Sequence, residues 1–184
     1  MIDYKKIHDS IVHYEKCGFQ RIESPWTVTK AISDITCPPD GKNFTIAEKN
    51  KVLVASGEQS FLAMYNKGFL PKGRFQTVTP CFRDETFDDT HTKYFIKNEL
   101  IITDKTHRDE MCFAIDCALN FYKKYVPSTG LEVKKIATNQ YDIFYKDVEL
   151  GSYGIRSCSF LKWIYATGCA ENRLSRTILK YGLS

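Results

Sequence analysis

The sequence predicts an α+β fold, a mostly antiparallel sheet flanked by helices and built as one domain over residues 1–184. Helical and extended segments do not alternate regularly, and extended runs follow one another as hairpin-like neighbours. That order favours antiparallel pairing over a succession of βαβ units. The chain is 43% apolar and 14% aromatic, which suits one well-filled core. Its 184 residues fall within the roughly 100–200 expected of a single domain.

Residues Tyr4 to Cys17 read as a helix, because Ile7, Ile11 and Tyr14 recur at three-to-four spacing and Gly18 ends the run. "FQRIES" (19–24) alternates as a short strand and stops at Pro25. Residues 26–41 end as a loop punctuated by Pro38, Pro39 and Gly41. "KVLVAS" (51–56) is rich in strand formers, and residues 58–68 read as a helix closed by Gly68. "GRFQTVTPCFR" and "KYFIKNELIIT" form two strands around a polar loop. Residues 106–125 place Met111, Ile115, Leu119 and Tyr122 on one helical face. "LEVKKIAT", "YDIFYK" and "VELGSYGIR" are three further strands. Residues Phe160 to Ala166 and Arg173 to Tyr181 are expected to be helical.

Several functional classes lose support at once. No G-x-x-x-x-G-K-[ST] is present, and no G-x-G-x-x-G opens a helix after a strand, so P-loop and Rossmann nucleotide sites are not indicated. Seven cysteines contain no C-x-x-C pair, and the four histidines share no ligand spacing. Cysteines that are small buried hydrophobes in a reducing compartment are the expectation. No apolar run reaches the roughly 20 residues needed to span a bilayer, and the N-terminus lacks a signal-peptide core. A soluble, cytoplasmic protein is expected. The net charge of +4 permits a phosphate-bearing partner without demanding one.

One loop carries chemistry. Phe82-Arg83-Asp84-Glu85 ends one strand, and His91-Thr92-Lys93-Tyr94-Phe95 opens the returning one. Residues i and i+2 share a strand face, so Arg83 and Glu85 read equally well as a local ion pair. This F-R-x-E, loop, H-x-x-x-F pattern resembles motif 2 of the class II aminoacyl-tRNA synthetases. The resemblance implies that Arg83 holds the α-phosphate of ATP and the amino-acid carboxylate, matching both with a planar fork. It likewise implies that Glu85 accepts from the adenine amino group, His91 lies near the terminal phosphates and Phe95 stacks on adenine.

Four more segments resemble the same family in the expected order. "GFQRIESP" (18–25) is similar to motif 1, which implies a homodimer through the region around Pro25. "VASGEQSF" (54–61) resembles the Thr-x-Glu segment of the seryl, threonyl and prolyl subgroup, with Ser56 and Glu58 in the places that contact the substrate amine. The same two residues also suit a helix start. "VELGSYGIR" (148–156) resembles the Glu-x-x-Ser strand, which implies that Glu149 and Ser152 help hold Mg2+ against ATP phosphates. Arg156, at its end, receives no role. "ATGCAENRLSR" (166–176) resembles motif 3, which implies that Gly168 lets adenine approach and Arg173 grips the γ-phosphate. Ala170 stands where the family's second glycine is usual, and Asn172 where an acidic residue is usual.

The resemblance implies an ATP-dependent ligase that converts an amino acid into an aminoacyl-adenylate and passes it to tRNA or another acceptor. A minimal catalytic core, with no additional anticodon-reading domain, is expected. Two alternatives stay open. One is a synthetase-like protein that binds amino acid or nucleotide without catalysis; the other is an asparagine-synthetase-like, amide-forming ligase.

Overall fold

The Asp3 side chain accepts from the backbone N–H groups of Lys5 and Lys6, and so starts α1 (Tyr4–Lys16) with a satisfied N-cap. The computed structural model describes residues 2–38, 41–47, 50–84 and 93–183. Glu85 and His91 lie outside the described residues. After α1 come β1 (Gln20–Arg21), β2 (Thr27–Thr29), α2 (Lys30–Asp34), β3 (Thr45–Ile46), β4 (Lys51–Leu53) and α3 (Gly57–Asn66). The long hairpin β5 (Arg74–Phe82) and β6 (Tyr94–Ile102) leads to α4 (Arg108–Tyr122). The chain continues through β7 (Leu131–Ala137), β8 (Gln140–Tyr145), β9 (Val148–Ser157), β10 (Lys162–Glu171) and α5 (Arg173–Lys180).

Seven strands form one sheet in the order β1-β5-β6-β10-β9-β8-β7. β1 runs parallel to β5, and every other pairing in this sheet is antiparallel. The expected α+β class, with a mostly antiparallel sheet flanked by helices, is the class observed. A small second sheet, β2-β4-β3, lies apart in the chain order.

Residues 160–166, expected as a helix, enter β10, the strand that joins the β5–β6 hairpin to β9. Both faces of this central strand are covered. Trp163 and Tyr165 pack on one side, Ile164 and Ala166 on the other. A run that is apolar on both faces shows no period of two, so a short window cannot separate strand from helix. Two smaller differences concern short elements. "FQRIES" contributes only Gln20–Arg21 as strand, although Ile22 N–H still donates to Gln76 C=O at 3.0 Å. The stretch from 26 onward holds β2 and α2 before its loop.

Alternation along the strands divides the interior in two. Leu100, Ile102, Ile143, Tyr153, Ile164 and Ala166 face α1, α4 and α5. Phe75, Ile101, Trp163 and Tyr165 face α3 and the small sheet. On the α1 side a buried polar network ties helix to hairpin. Asn98 Nδ2 donates to Ser10 Oγ at 3.1 Å and to Gln76 Oε1 at 2.9 Å, while Gln76 Nε2 donates to the carbonyls of Ile11 and Phe19. Such a network rigidifies one docking geometry, because an unpaired member would be left desolvated.

Candidate active site

The site lies on the α3 side of the sheet, where the apolar alternation gives way to charge. Continuing outward from Ile101, the same face of β6 presents Glu99, Lys97 and Phe95. Its register partners on β5 are Thr77, Thr79 and Cys81, with Arg83 just beyond. The first turn of α3 meets this face. Gly57 makes that possible, since a Cβ there would fall 2.9 Å from Glu99 Cβ and 3.1 Å from Thr77 Cγ2. The helix N-terminus is thereby set down over the strands.

A cavity of about 200 Å3 opens at this junction. Ser56, Glu58, Arg83, Lys97, Glu99 and Ser152 line it, with Arg156 and Tyr165 completing the far wall. Four of the sequence-predicted residues, Ser56, Glu58, Arg83 and Ser152, therefore share one cavity although they lie up to about a hundred positions apart in the chain. Ser56 is the N-cap residue of α3, but its hydroxyl makes no capping bond. Gln59 provides closure instead, its Oε1 accepting from Ala55 N–H at 2.9 Å. Arg83 Nε donates to Ala55 C=O at 3.4 Å, and its guanidinium carbon lies 5.1 Å from the Phe95 ring centre. Phe95 thus stands beside Arg83.

Glu58 is held from two directions. It is 5% exposed, and Arg156 Nη1 donates to its Oε2 at 2.7 Å while Trp163 Nε1 donates to its Oε1 at 2.7 Å. Glu99 is buried deeper, at 1% exposure, with Lys97 Nζ 2.8 Å from its Oε2. Burial pushes the Glu99 carboxyl above the ordinary range. The Lys97 ammonium works against that shift, and the Glu58 charge adds to it. Burial also pushes the Cys81 thiol up to about 11, so this cysteine under the site is not a nucleophile at neutral pH.

Glu149 and Arg173 form a second group outside the cavity wall. Arg173 opens α5, and its Nη1 donates to Glu149 Oε1 at 2.8 Å. A bulge on β9 brings Glu149 opposite Phe144 and Ser152 opposite Asp142, so Glu149 and Ser152 share a strand face. Asp142 is 7% exposed, and its Oδ1 has no hydrogen-bond partner. Burial raises its pKa, and the Glu149 charge contributes in the same direction. No trio of His, Cys, Asp and Glu forms a metal cluster among the described residues. The set Glu149, Ser152 and Asp142 still offers hard oxygen donors with one orphaned oxygen. That fits Mg2+, which typically takes one or two carboxylates and completes its shell with phosphate oxygens and water.

Gly168 sits at the bulge where β10 shifts register against β6. Its missing side chain points to the other side of the sheet. A Cβ there would lie 2.9 Å from the Tyr14 ring and 3.0 Å from Asn98 C=O. Tyr14 Oη donates to Gly168 C=O at 2.8 Å, so this glycine seats α1. Ala170, two residues on, pairs with Lys97 and shares its site-side face.

Among the lining residues that the sequence did not point to are Lys97, Glu99 and Arg156. Their signal was strand alternation. Lys97 and Glu99 follow Phe95 at steps of two, and Arg156 follows Ser152 at four.

No protein-family model and no curated protein matches the sequence. Solved structures do match. Seryl-tRNA synthetase from Pyrococcus horikoshii, complexed with ATP, aligns at TM-score 0.68 and 15% identity over 94% of this chain and 49% of that one. Cytoplasmic serine-tRNA ligase from Naegleria fowleri, in complex with AMP, aligns at 0.66 and 16% over 94% and 47%. Pyrrolysyl-tRNA synthetase from Desulfitobacterium hafniense aligns at 0.71 and 16% over 98% and 70%. The chain spans about half the length of the two seryl enzymes. At such identities a likeness establishes architecture rather than activity. By its strand order, its parallel edge strand and these likenesses, the chain has the fold of a class II aminoacyl-tRNA synthetase catalytic core.

Proposed function

We propose that the protein activates an amino acid with ATP and passes the acyl group to an acceptor, as a homodimer through the region around Pro25. An oxygen of the amino-acid carboxylate attacks the α-phosphorus, the bond to the bridging oxygen of pyrophosphate breaks, and an aminoacyl-adenylate forms. Arg83 stabilises the charge that builds on the α-phosphate and orients the carboxylate. Arg173 takes the γ-phosphate in exchange for Glu149, an exchange favoured by the higher charge of the triphosphate. Glu85 and His91 serve adenine and the terminal phosphates, and Phe95 the adenine ring. Glu149 and Ser152, with Asp142 beside them, would hold Mg2+, which supplies neutralisation of phosphate charge. The acceptor is tRNA or a smaller nucleophile.

The observation that carries this reading is the gathering of Ser56, Glu58, Arg83 and Ser152 around one cavity on the sheet face. The ATP and AMP complexes of the similar seryl enzymes add support. Amino-acid-dependent exchange of pyrophosphate into ATP tests it. Wild-type protein is expected to exchange with at least one amino acid, and Arg83→Ala to lose exchange while keeping its circular dichroism and melting temperature. If no acid supports exchange, the protein binds without activating.

A further inference from the structure

Glu58 stands where the substrate ammonium is expected to bind, yet the structure has already satisfied it. Both carboxylate oxygens accept strong hydrogen bonds, from Arg156 and from Trp163, in a nearly water-free setting. An ammonium entering there would compete with an ion pair whose carboxylate is buried and whose guanidinium is partly exposed, and taking its partner from a buried carboxylate is unfavourable. Arg156 itself is the more available group. Its side chain is 38% exposed, and it lines the cavity. Its guanidinium carbon lies 4.1 Å from the Tyr165 ring centre, so the aromatic face carries the guanidinium. One of its nitrogens is engaged by Glu58, out of five N–H donors on the group. A guanidinium that is braced and still open at one edge is a prepared carboxylate receptor.

The charge of the cavity points the same way. Among the described residues its wall carries four cations, Lys42, Arg83, Lys97 and Arg156, against two carboxylates, Glu58 and Glu99. Arg83 is taken up by two anionic groups, the reacting carboxylate and the α-phosphate. Lys97 is paired with Glu99. Arg156 is paired with Glu58, so beyond Arg83 the surplus positive charge is that of Lys42, in a small, partly enclosed space where an anion is held more strongly than in open water.

We propose, on the basis of the activation reading above, that the acid activated here is a dicarboxylate, and that Arg156 is a specificity-determining residue that holds its non-reacting carboxylate. The carboxylate at Arg83 reacts with ATP and the one at Arg156 does not. Glu58 keeps the guanidinium in place from behind and does not serve primarily as an amine receptor.

Pyrophosphate exchange with defined acids tests this. The probes are aspartate, glutamate and succinate against asparagine, glutamine, serine and alanine. A dicarboxylate is expected to be the preferred acid, and Arg156→Gln to raise its KM on the order of 100-fold, the range for losing a charged partner. The loss should be selective: in the same variant the ratio of kcat/KM for a dicarboxylate to that for its neutral amide should fall on the order of 100-fold. Arg156→Lys should recover only part of the loss, because an ammonium keeps the charge without the fork. If Arg156→Gln folds poorly with Glu58 left unpaired, the double variant Arg156→Gln, Glu58→Gln removes both charges and is expected to show the same KM pattern. Exchange with neutral amino acids alone, unaffected by Arg156→Gln, would overturn this inference while leaving activation in place. No exchange with any acid overturns activation, and this inference with it.

Discussion

Trp163 shows how one atom can decide the electrostatics of the site. Its ring is fully buried in the α3-side core, while its Nε1–H donates to Glu58 Oε1 at 2.7 Å. Trp163→Phe keeps most of the ring and removes that donor. A buried carboxylate oxygen is then left unpaired, which costs about 1–3 kcal/mol, in addition to any small cavity. The urea midpoint should fall accordingly, and the loss should shrink when the same change is made in a Glu58→Gln background, where no charge needs solvating. Equal losses in both backgrounds would assign the effect to packing alone. At this scale the sequence was informative about residue types and silent about partners. Arg83, Glu58 and Ser152 were legible because a short pattern fixes their types and order. Lys97 and Glu99 were not, because a lysine and a glutamate two apart on a strand look like any solvated pair. Burial turns them into part of a site, and burial depends on what α3 covers.

Elements were legible where one face is polar and illegible where both are apolar. α1, α4 and the β5–β6 hairpin carry clean periodicities and were found within a few residues of their ends. β10 was lost because its position in the middle of the sheet erases alternation, and α2 is too short at Lys30–Asp34 to show a period. The register shift in β10 at Gly168 has a consequence that can be measured. α1 crosses there so closely that a methyl group would meet the Tyr14 ring and a backbone oxygen of β6. The oxygen belongs to Asn98, in a strand fixed on both sides, so it cannot yield cheaply. Gly168→Ala is therefore expected to destabilise the fold by about 1–3 kcal/mol, the range for overpacking a filled core. In the double variant with Tyr14→Ala, the alanine should cost less, because part of the clash is gone. Thermal melts of the four proteins give the coupling directly. A Gly168→Ala variant as stable as wild type would show that α1 sits further from the sheet.

At the scale of the molecule, the sheet separates stability from chemistry. One face is sealed by α1, α4 and α5 around a large apolar core; the other opens into the cavity beside α3. The sheet edge at β1 connects this arrangement to assembly. β1 is two residues long, and the chain after it presents Trp26 at 56% exposure. An exposed tryptophan beside the sheet edge is a surface suited to a second copy of the chain. This edge is also tied to the site. Ser60 Oγ, on α3, donates to Pro25 C=O at 2.7 Å, and Ser24 Oγ lies 2.9 Å from Thr77 Oγ1, on the strand beneath Gly57. Pairing two chains through this segment would hold α3, and with it Ser56 and Glu58, in register with Arg83. The proposed homodimer is thus expected to be required for full exchange activity, and Trp26→Glu is expected to separate the subunits by placing a charge in the contact. Light scattering across micromolar concentrations should give twice the chain mass for wild type and a single chain mass for Trp26→Glu, with exchange activity reduced in step. A wild-type monomer throughout that range with full activity would detach the edge from both assembly and catalysis, leaving Pro25 and Trp26 as features of the α3 docking alone.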